Sequence, residues 1–103
     1  MLPKKKRINR NEFKALMKNG QVLTSPFFVF RYINKGNFKI ACVVPKAVNK
    51  KAVKRNKLKR KAYSSLLNFS VKEGQGIFFL KKEASFMEIK KDIEFLLKKS
   101  NFI

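Results

Sequence analysis

Histidine is absent from this sequence of 103 residues, and cysteine and acidic residues are scarce. Without His the chain lacks the commonest general base near neutral pH, and its six Asp and Glu residues are scattered among lysines rather than paired. A zinc site would have to be built from carboxylates alone, because Cys42 is the only cysteine. These shortages argue against catalysis by the protein itself and against a cofactor bound by the protein alone.

The single cysteine also excludes an internal disulfide framework, which fits a reducing cytoplasm. We interpret Cys42 as a core residue rather than as a reactive thiol. No apolar run approaches the roughly 18–20 residues that a membrane span needs, and no apolar segment of a signal peptide follows the amino-terminal basic residues. We therefore expect a cytoplasmic protein that is neither secreted nor embedded in a membrane.

The scarcity of acidic residues is accompanied by an excess of basic ones. Lys and Arg number 26, which gives a formal net charge of +20. An excess of this size opposes compaction unless an anionic partner offsets it, and nucleic-acid phosphates are the commonest such partner. A membrane surface is the rival interpretation. The basic run Lys4–Arg7 has the composition of a nuclear localisation signal, but we interpret it as an RNA-contacting arm.

The chain has enough apolar residues to fold in spite of this charge. They make up 45% of the sequence, and eleven are Phe, so one modest core can form. No repeat, linker or shift of composition divides the chain, and we expect a single RNA-binding domain over residues 1–103 with residues 1–8 as a basic arm. A membrane-surface peptide is the weaker interpretation, because the aromatic residues alternate as in strands instead of forming one helical stripe.

Capping residues and apolar periodicity predict helices near both ends of the chain. The first covers about residues 9–19, with a capping box between Asn9 and Glu12 and a left-handed stop at Gly20. The last opens at Ser85, with Glu88 three residues on. The predicted core stripe of this last helix consists of Ile89, Ile93, Leu96 and Leu97.

Aromatic and β-branched runs predict the strands. We expect a short edge strand at Gln21–Thr24, a hairpin over Phe27–Val44, and a short buried strand at Ile77–Leu80, with Gly74 and Gly76 as punctuation before it. A second helix lies between the hairpin and the last strand. The resulting order, α-β-β-β-α-β-α, predicts an α/β (α+β) two-layer sandwich with one mixed sheet covered by helices.

Side-chain alternation gives the two faces of the predicted hairpin different characters. One face is bulky and should pack on helices; it carries Phe28, Phe30, Tyr32, Phe38, Ile40, Cys42 and Val44. The other face is smaller and carries Val29, Arg31, Lys39, Ala41 and Val43. Because the second face includes two cations, it should border water or a ligand.

Positive charge is most concentrated on the predicted second helix, which covers about residues 50–68 and is capped by Asn49. Eight of the twelve residues 50–61 are basic. Residues three or four apart share a face of a helix, so forked guanidiniums and an amide would form one ridge that matches a phosphate backbone. The alternative interpretation of such a basic run is a helix face that is only solvated and binds no partner. The residues of the ridge are Arg55, Asn56, Lys59 and Arg60.

The segment Arg55-Asn56-Lys57-Leu58-Lys59-Arg60, preceded by Val44-Pro45-Lys46, resembles the Arg-Asn-x-x-Lys-Arg motif of the bacterial ribonuclease P protein family. The order of elements is similar along essentially the whole chain. The resemblance implies a left-handed crossover around the basic helix and a non-catalytic protein subunit whose RNA subunit performs Mg²⁺-dependent removal of the 5′ leader from precursor tRNA. The implied partners are the catalytic RNA and precursor tRNA, not a membrane or a small molecule, with Mg²⁺ bound mainly by the RNA subunit and substrate.

The resemblance also implies which residues contact RNA. The ridge facing the catalytic RNA would consist of Lys46, Arg55, Asn56, Lys57, Lys59 and Arg60. The family has a cleft between its first helix and the sheet that holds single-stranded leader, and the matching residues are Phe13, Met17, Arg31 and Lys39. In the alternative interpretation, Phe13 and Met17 are plain core residues.

Three positions depart from the family pattern. Lys57 and Tyr63 stand where family members commonly have Arg, and Ala47 stands where a second basic residue often follows the first. A forked donor thus becomes a point charge at position 57 and is lost at position 63. The competing function is that of a non-catalytic RNA-binding protein such as a ribosomal protein, which would share the size and charge but needs neither the motif nor a cleft.

Overall fold

The structure is a computed structural model that describes residues 7–71 and 73–103. The elements within these residues follow the predicted order. They are α1 (Arg10–Asn19), β1 (Gln21–Thr24), β2 (Phe28–Asn37), β3 (Lys39–Val43), α2 (Ala52–Leu66), β4 (Glu73–Leu80) and α3 (Phe86–Lys99). Apart from Arg7, the basic run that we predicted to be an RNA-contacting arm lies outside the described residues.

Both predicted capping boxes are present, and they begin α1 and α3. Asn9 Oδ1 accepts a hydrogen bond from the N–H of Glu12 at 2.8 Å, and Glu12 Oε1 accepts one from the N–H of Asn9 at 3.0 Å. Ser85 and Glu88 exchange the equivalent bonds at 3.3 and 3.0 Å. These pairs satisfy amide groups that have no partner within the helix. Local sequence therefore defines where both helices begin.

Two predicted helix ends differ from the structure. Gly20 ends α1 with an extended backbone, φ −68° and ψ 150°, so the predicted left-handed stop is wrong. Glycine is needed there because a Cβ would lie 2.5 Å from the carbonyl oxygen of Leu16. Helix α2 starts at Ala52, two residues later than predicted. The Asn49 side chain accepts from the N–H of Lys51 at 2.9 Å, which makes a turn before the helix rather than a cap.

The strands form one mixed sheet in the order β1-β2-β4-β3. Strand β4 runs antiparallel to β2 and parallel to β3, with Phe78 opposite both Phe30 and Cys42. The predicted hairpin over Phe27–Val44 is therefore wrong, because β4 separates its two strands. Ile77 and Phe78 point to opposite faces of β4 and both are 0% exposed, as expected of a central strand. Helix α2 connects β3 to the parallel β4, so a crossover around the basic helix is present, and its left-handed sense stays a prediction.

Gly74 and Gly76, which we predicted to separate elements, lie inside β4. Aromatic rings occupy the space that side chains at these positions would need. A Cβ on Gly76 would lie 2.3 Å from the ring of Phe30, which stacks on Phe78 with ring centroids 4.1 Å apart. The glycines therefore allow aromatic packing over the strand instead of ending it.

Burial confirms the predicted difference between the faces of the sheet. The bulky face packs with α2 and α3 into one core, where Phe28, Phe30, Tyr32, Ile40, Cys42 and Val44 are all buried. Phe38 is half-buried. The predicted core stripe of α3 is confirmed, since its four residues are 0% exposed. Cys42 lies in this core, and burial raises the pKa of its thiol, which supports its interpretation as a core residue.

The smaller face of the sheet is only half-buried at Val29, Arg31, Lys39, Ala41 and Val43. Helix α1 packs against this face through β2 and β4. In the part of the chain that the structure describes, no helix is both long and apolar enough to cross a bilayer.

Candidate nucleic-acid interface

The predicted RNA-contacting residues lie on two surfaces. We call the first the motif ridge, formed by Lys46, Arg55, Asn56, Lys57, Lys59 and Arg60 on α2 and the loop before it. We call the second the α1 cleft, the predicted leader site made of Phe13 and Met17 on α1 and of Arg31 and Lys39 on the sheet face against which α1 packs. No single cavity among the described residues is lined by all four. Their roles in binding remain predictions, but their positions and contacts are defined.

The motif ridge is solvent-facing because the opposite side of α2 packs into the core. Leu58, Ala62 and Leu66 are buried at helical spacing. The ridge residues Lys46, Asn56, Lys57 and Arg60 are exposed, and Arg55 and Lys59 are half-buried. A rigid helix thus displays several cations and an amide to solvent, as the sequence predicts.

Arg55 differs from the other ridge residues because the protein already uses part of its guanidinium. Its Nη1 donates to the carbonyl oxygens of Asn49 and Lys50 at 3.0 and 2.7 Å. Asn49 in turn donates from Nδ2 to Glu83 in the loop before α3, at 2.7 Å. Arg55 therefore holds the loop that enters α2, and only its remaining guanidinium donors are available to a ligand.

Three ridge residues, Asn56, Lys59 and Arg60, line one cavity of about 280 Å³ together with Cys42 and Tyr63. The predicted proximity of Asn56 and Arg60 on successive turns of the helix is thus observed. The cavity lies between α2 and β3, and two cations and an amide surround it. Such a set of donors suits an anion with several acceptor oxygens.

Tyr63 has a structural role that sequence analysis did not predict. Its hydroxyl oxygen accepts a hydrogen bond from the N–H of Cys42 at 3.2 Å. Burial raises the pKa of Tyr63, so the phenol keeps a proton that it can donate. At position 63, where the resemblance implies Arg, this chain has a neutral group that fastens α2 to β3, an edge strand of the sheet.

The amino-terminal segment contacts the same edge strand. Arg7 forms a parallel bridge with Ile40 on the outer side of β3. Further along, Phe13 lines an open groove of about 660 Å³ with Ile8, Asn9, Arg10 and Lys14. Sequence analysis did not single out Arg10 and Lys14, because neither lies in a motif. Arg7 thus lies beside β3, the strand whose Cys42 N–H bonds Tyr63 of α2.

Leu16 is the fully buried apolar residue of α1, at 1% exposed, in contrast to the two residues predicted for the cleft. Met17 is 41% exposed. Phe13 is half-buried and packs edge to face on Phe79 of β4, with ring centroids 6.3 Å apart. The alternative interpretation of Phe13 and Met17 as plain core residues therefore does not fit Met17, which is exposed, and Phe13 is only partly buried. The core residue of α1 is Leu16.

Both cleft cations contact α1. Arg31 donates from Nη1 to the carbonyl oxygen of Met17 at 3.0 Å, near the end of the helix. Lys39 Nζ lies 2.9 Å from Glu12 Oε2, which also accepts from Gln75 Nε2 at 3.1 Å. Sequence analysis assigned Glu12 only to the capping box. Burial raises the pKa of Glu12, but the bonds from the Asn9 backbone, Lys39 and Gln75 outweigh it, so the net pKa is lowered.

The described residues do not offer a metal site. Within 7–71 and 73–103, no three His, Cys, Asp or Glu side chains converge to hold a metal ion. Six acidic residues also offset at most a minority of the 26 cations, so the surface remains strongly positive. The chemistry that these two surfaces support is binding of a polyanion.

Comparison with known proteins identifies the proteins that this chain resembles. The profile of the Ribonuclease P family matches residues 2–101. The fold is similar to that of the Staphylococcus aureus RNase P protein, with a TM-score of 0.81 and 22% identity, covering 94% of this chain and 96% of that one. A mutant of the S. aureus protein with defective mRNA degradation activity gives a TM-score of 0.85 and 24% identity, covering 97% and 92%.

The Thermotoga maritima RNase P protein is similar as well. Its TM-score is 0.79 at 24% identity, and the alignment covers 90% of this chain and 96% of that one. No match was found among curated protein sequences.

Proposed function

The chain belongs to the ribonuclease P protein family, and we propose that it is the protein subunit of the ribonuclease P ribonucleoprotein. In this role it binds the catalytic RNA and the 5′ leader of precursor tRNA and assists removal of that leader. The observation that carries the proposal is the grouping of Asn56, Lys59 and Arg60 around one cavity on a rigid helix. The family's motif thus supplies several hydrogen-bond donors around one cavity, and such donors suit a phosphate group.

The motif ridge is the proposed contact with the catalytic RNA near the cleavage site. Arg60 offers a planar fork, Asn56 an amide and Lys59 an ammonium, and Tyr63 adds a neutral hydroxyl to the same cavity. Contacts of this kind go to phosphate and sugar, so they position RNA without reading its sequence. Lys46 and Lys57, both exposed, extend the positive surface.

The α1 cleft is the proposed site for the single-stranded leader. The partly exposed ring of Phe13 and the exposed Met17 side chain provide apolar surface for bases, and Arg31 and Lys39 provide charge for the backbone. Stacking tolerates any base, since every base has a π face. The cleft is therefore suited to a strand of variable sequence.

The protein is proposed to be non-catalytic, with hydrolysis performed by the RNA subunit. Mg²⁺ prefers hard oxygen ligands, which RNA phosphates supply in number, so we assign the ions to the RNA subunit and substrate. What this chain's residues do is bind, orient and neutralise charge. The proposed location is the cytoplasm, whose reducing conditions suit an unpaired, buried Cys42.

The direct test is reconstitution with a bacterial ribonuclease P RNA and precursor tRNA. We expect the protein to accelerate 5′ maturation at low Mg²⁺, where RNA alone is slow, and to prefer substrate that carries a leader. Its effect should diminish as monovalent salt rises at fixed Mg²⁺, because phosphate contacts release counterions.

The controls are RNA alone, protein alone and an unrelated basic RNA-binding protein of similar size. Binding to RNA without acceleration would favour a general RNA-binding function, such as that of a ribosomal protein. Repeatable cleavage by protein purified free of RNA would overturn the non-catalytic assignment.

A further inference from the structure

An acidic side chain, Glu12, reaches into the α1 cleft. Its two carboxylate oxygens have different partners: Oε1 accepts from the N–H of Asn9 at 3.0 Å, and Oε2 accepts from Lys39 at 2.9 Å and Gln75 at 3.1 Å. Lys39 of β3 and Gln75 of β4 are neighbours in the sheet register. One carboxylate therefore begins α1 and also ties that helix to two strands.

We infer that Glu12 is a positioning residue of the cleft, which holds the Lys39 ammonium against α1 and competes with leader phosphate for it. This inference rests on the proposed function, because it requires the leader to bind beside Lys39. The substrate group concerned is a backbone phosphate of single-stranded RNA. In the free protein the ammonium is paired, and in the complex the phosphate takes the place of the carboxylate.

Partial exposure makes this exchange accessible. The side chains of Lys39 and Glu12 are 26% and 20% exposed, so solvent and a phosphate can both reach the pair. An ion pair at this level of exposure is weak, since water and salt screen it. A phosphate approaching Lys39 nevertheless meets a carboxylate of like charge 2.9 Å from the ammonium. Glu12 therefore lowers the affinity of the cleft for a polyanion.

The chain provides a matched control for this residue. Glu12 and Glu88 are both the third residue of a helix that starts with a capping box. Gln can replace Glu in a capping box, so either substitution removes one negative charge and keeps the helix start. Glu88 lies on α3, which packs on the opposite face of the sheet from α1, and it is fully exposed.

The experiment measures the affinity of the reconstituted holoenzyme for precursor tRNA and for the same tRNA without its leader. Glu12→Gln should tighten binding of the leader-bearing RNA by about two- to fivefold and leave the leaderless RNA unchanged. The slope of log affinity against log salt should change by less than roughly 0.7, the value of one phosphate contact on a single strand, because the same phosphate binds Lys39 in both proteins. Glu88→Gln should change neither quantity.

Further variants keep the inference falsifiable. Lys39→Gln should weaken leader-dependent affinity, and adding Glu12→Gln to it should then give no gain. Thermal unfolding followed by circular dichroism checks each fold. Should Glu12→Gln fail to fold, Glu12→Asp keeps the charge at the helix start but withdraws it from Lys39, and it should also tighten binding.

Two results would overturn the inference in distinguishable ways. Weaker or unchanged leader binding in Glu12→Gln, with Lys39→Gln still harmful, would show that Glu12 only supports the fold while the leader binds as proposed. No effect of either substitution on leader-dependent affinity would show that the leader does not bind in this cleft, and the proposed function would lose that part as well.

Discussion

Asp92 is a buried carboxylate whose removal should strongly destabilise the fold. It lies on α3, 8% exposed, and its Oδ2 accepts from the Ser25 hydroxyl and from the N–H of Phe27, each at 2.7 Å. Ser25 is itself 5% exposed and also bonds the backbone of Phe28. Asp92 thereby fixes the turn between β1 and β2 to the helix that covers the core.

The effect of Asp92→Ala on the free energy of unfolding follows from these contacts. A hydrogen bond to a charged group contributes about 1.5–3 kcal/mol, and a buried donor left without an acceptor costs about 1–3 kcal/mol. The Ser25 hydroxyl keeps its bond to Phe28, so the N–H of Phe27 is the donor most affected. Allowing for non-additivity, we expect a loss of about 2–4 kcal/mol. In a domain of this size that lowers Tm by about 10–20 °C.

The assay is urea and thermal unfolding of the free protein, followed by circular dichroism. Glu94→Ala is the matched control, because it also removes a carboxylate from α3. The ion pair between Glu94 and Lys98 is exposed, since their side chains are 40% and 64% accessible, respectively. That substitution should change the free energy of unfolding by less than about 1 kcal/mol. Equal losses for the two variants, or a loss below about 1 kcal/mol for Asp92→Ala, would refute this reasoning.

Two other predictions test the ridge and the sheet. Arg60→Ala should weaken holoenzyme affinity for precursor tRNA by about tenfold or more, whereas Lys54→Ala, an exposed cation of α2 outside the cavity, should weaken it less than about fivefold. Equal losses would mean that α2 is a diffuse cationic surface. Gly76→Ala should destabilise the protein by about 1–3 kcal/mol, because its Cβ would lie 2.3 Å from the Phe30 ring; an unchanged urea midpoint would contradict that packing.

Local interactions explain which features could be predicted without the structure. A capping box involves residues three apart, so Asn9 with Glu12 and Ser85 with Glu88 indicate two helix starts directly. Alternation along a strand is equally local, and it correctly separated the buried face from the face that carries Arg31. The motif on α2 could be recognised because its residues are contiguous.

Contacts between distant residues account for what was missed. Nothing near Phe27–Val44 shows that a strand beginning about thirty residues after Val44 will separate its two halves. The aromatic ring that makes Gly76 necessary belongs to another strand. Likewise, the bond from Cys42 to Tyr63 joins a strand to a helix, so position 63 looks in sequence like a mere loss of charge.

The amino-acid sequence by itself determined the starts of α1 and α3, the different characters of the two sheet faces, the excess of positive charge and the family motif, because each depends on composition or on neighbours along the chain. Only the tertiary structure decided the strand order, the hydrogen bond from Arg55 to the loop before α2, and the pairing of Lys39 with Glu12. These depend on which distant groups the packed core brings within hydrogen-bonding distance. Short-range patterns specify the parts, and burial of apolar surface selects their arrangement.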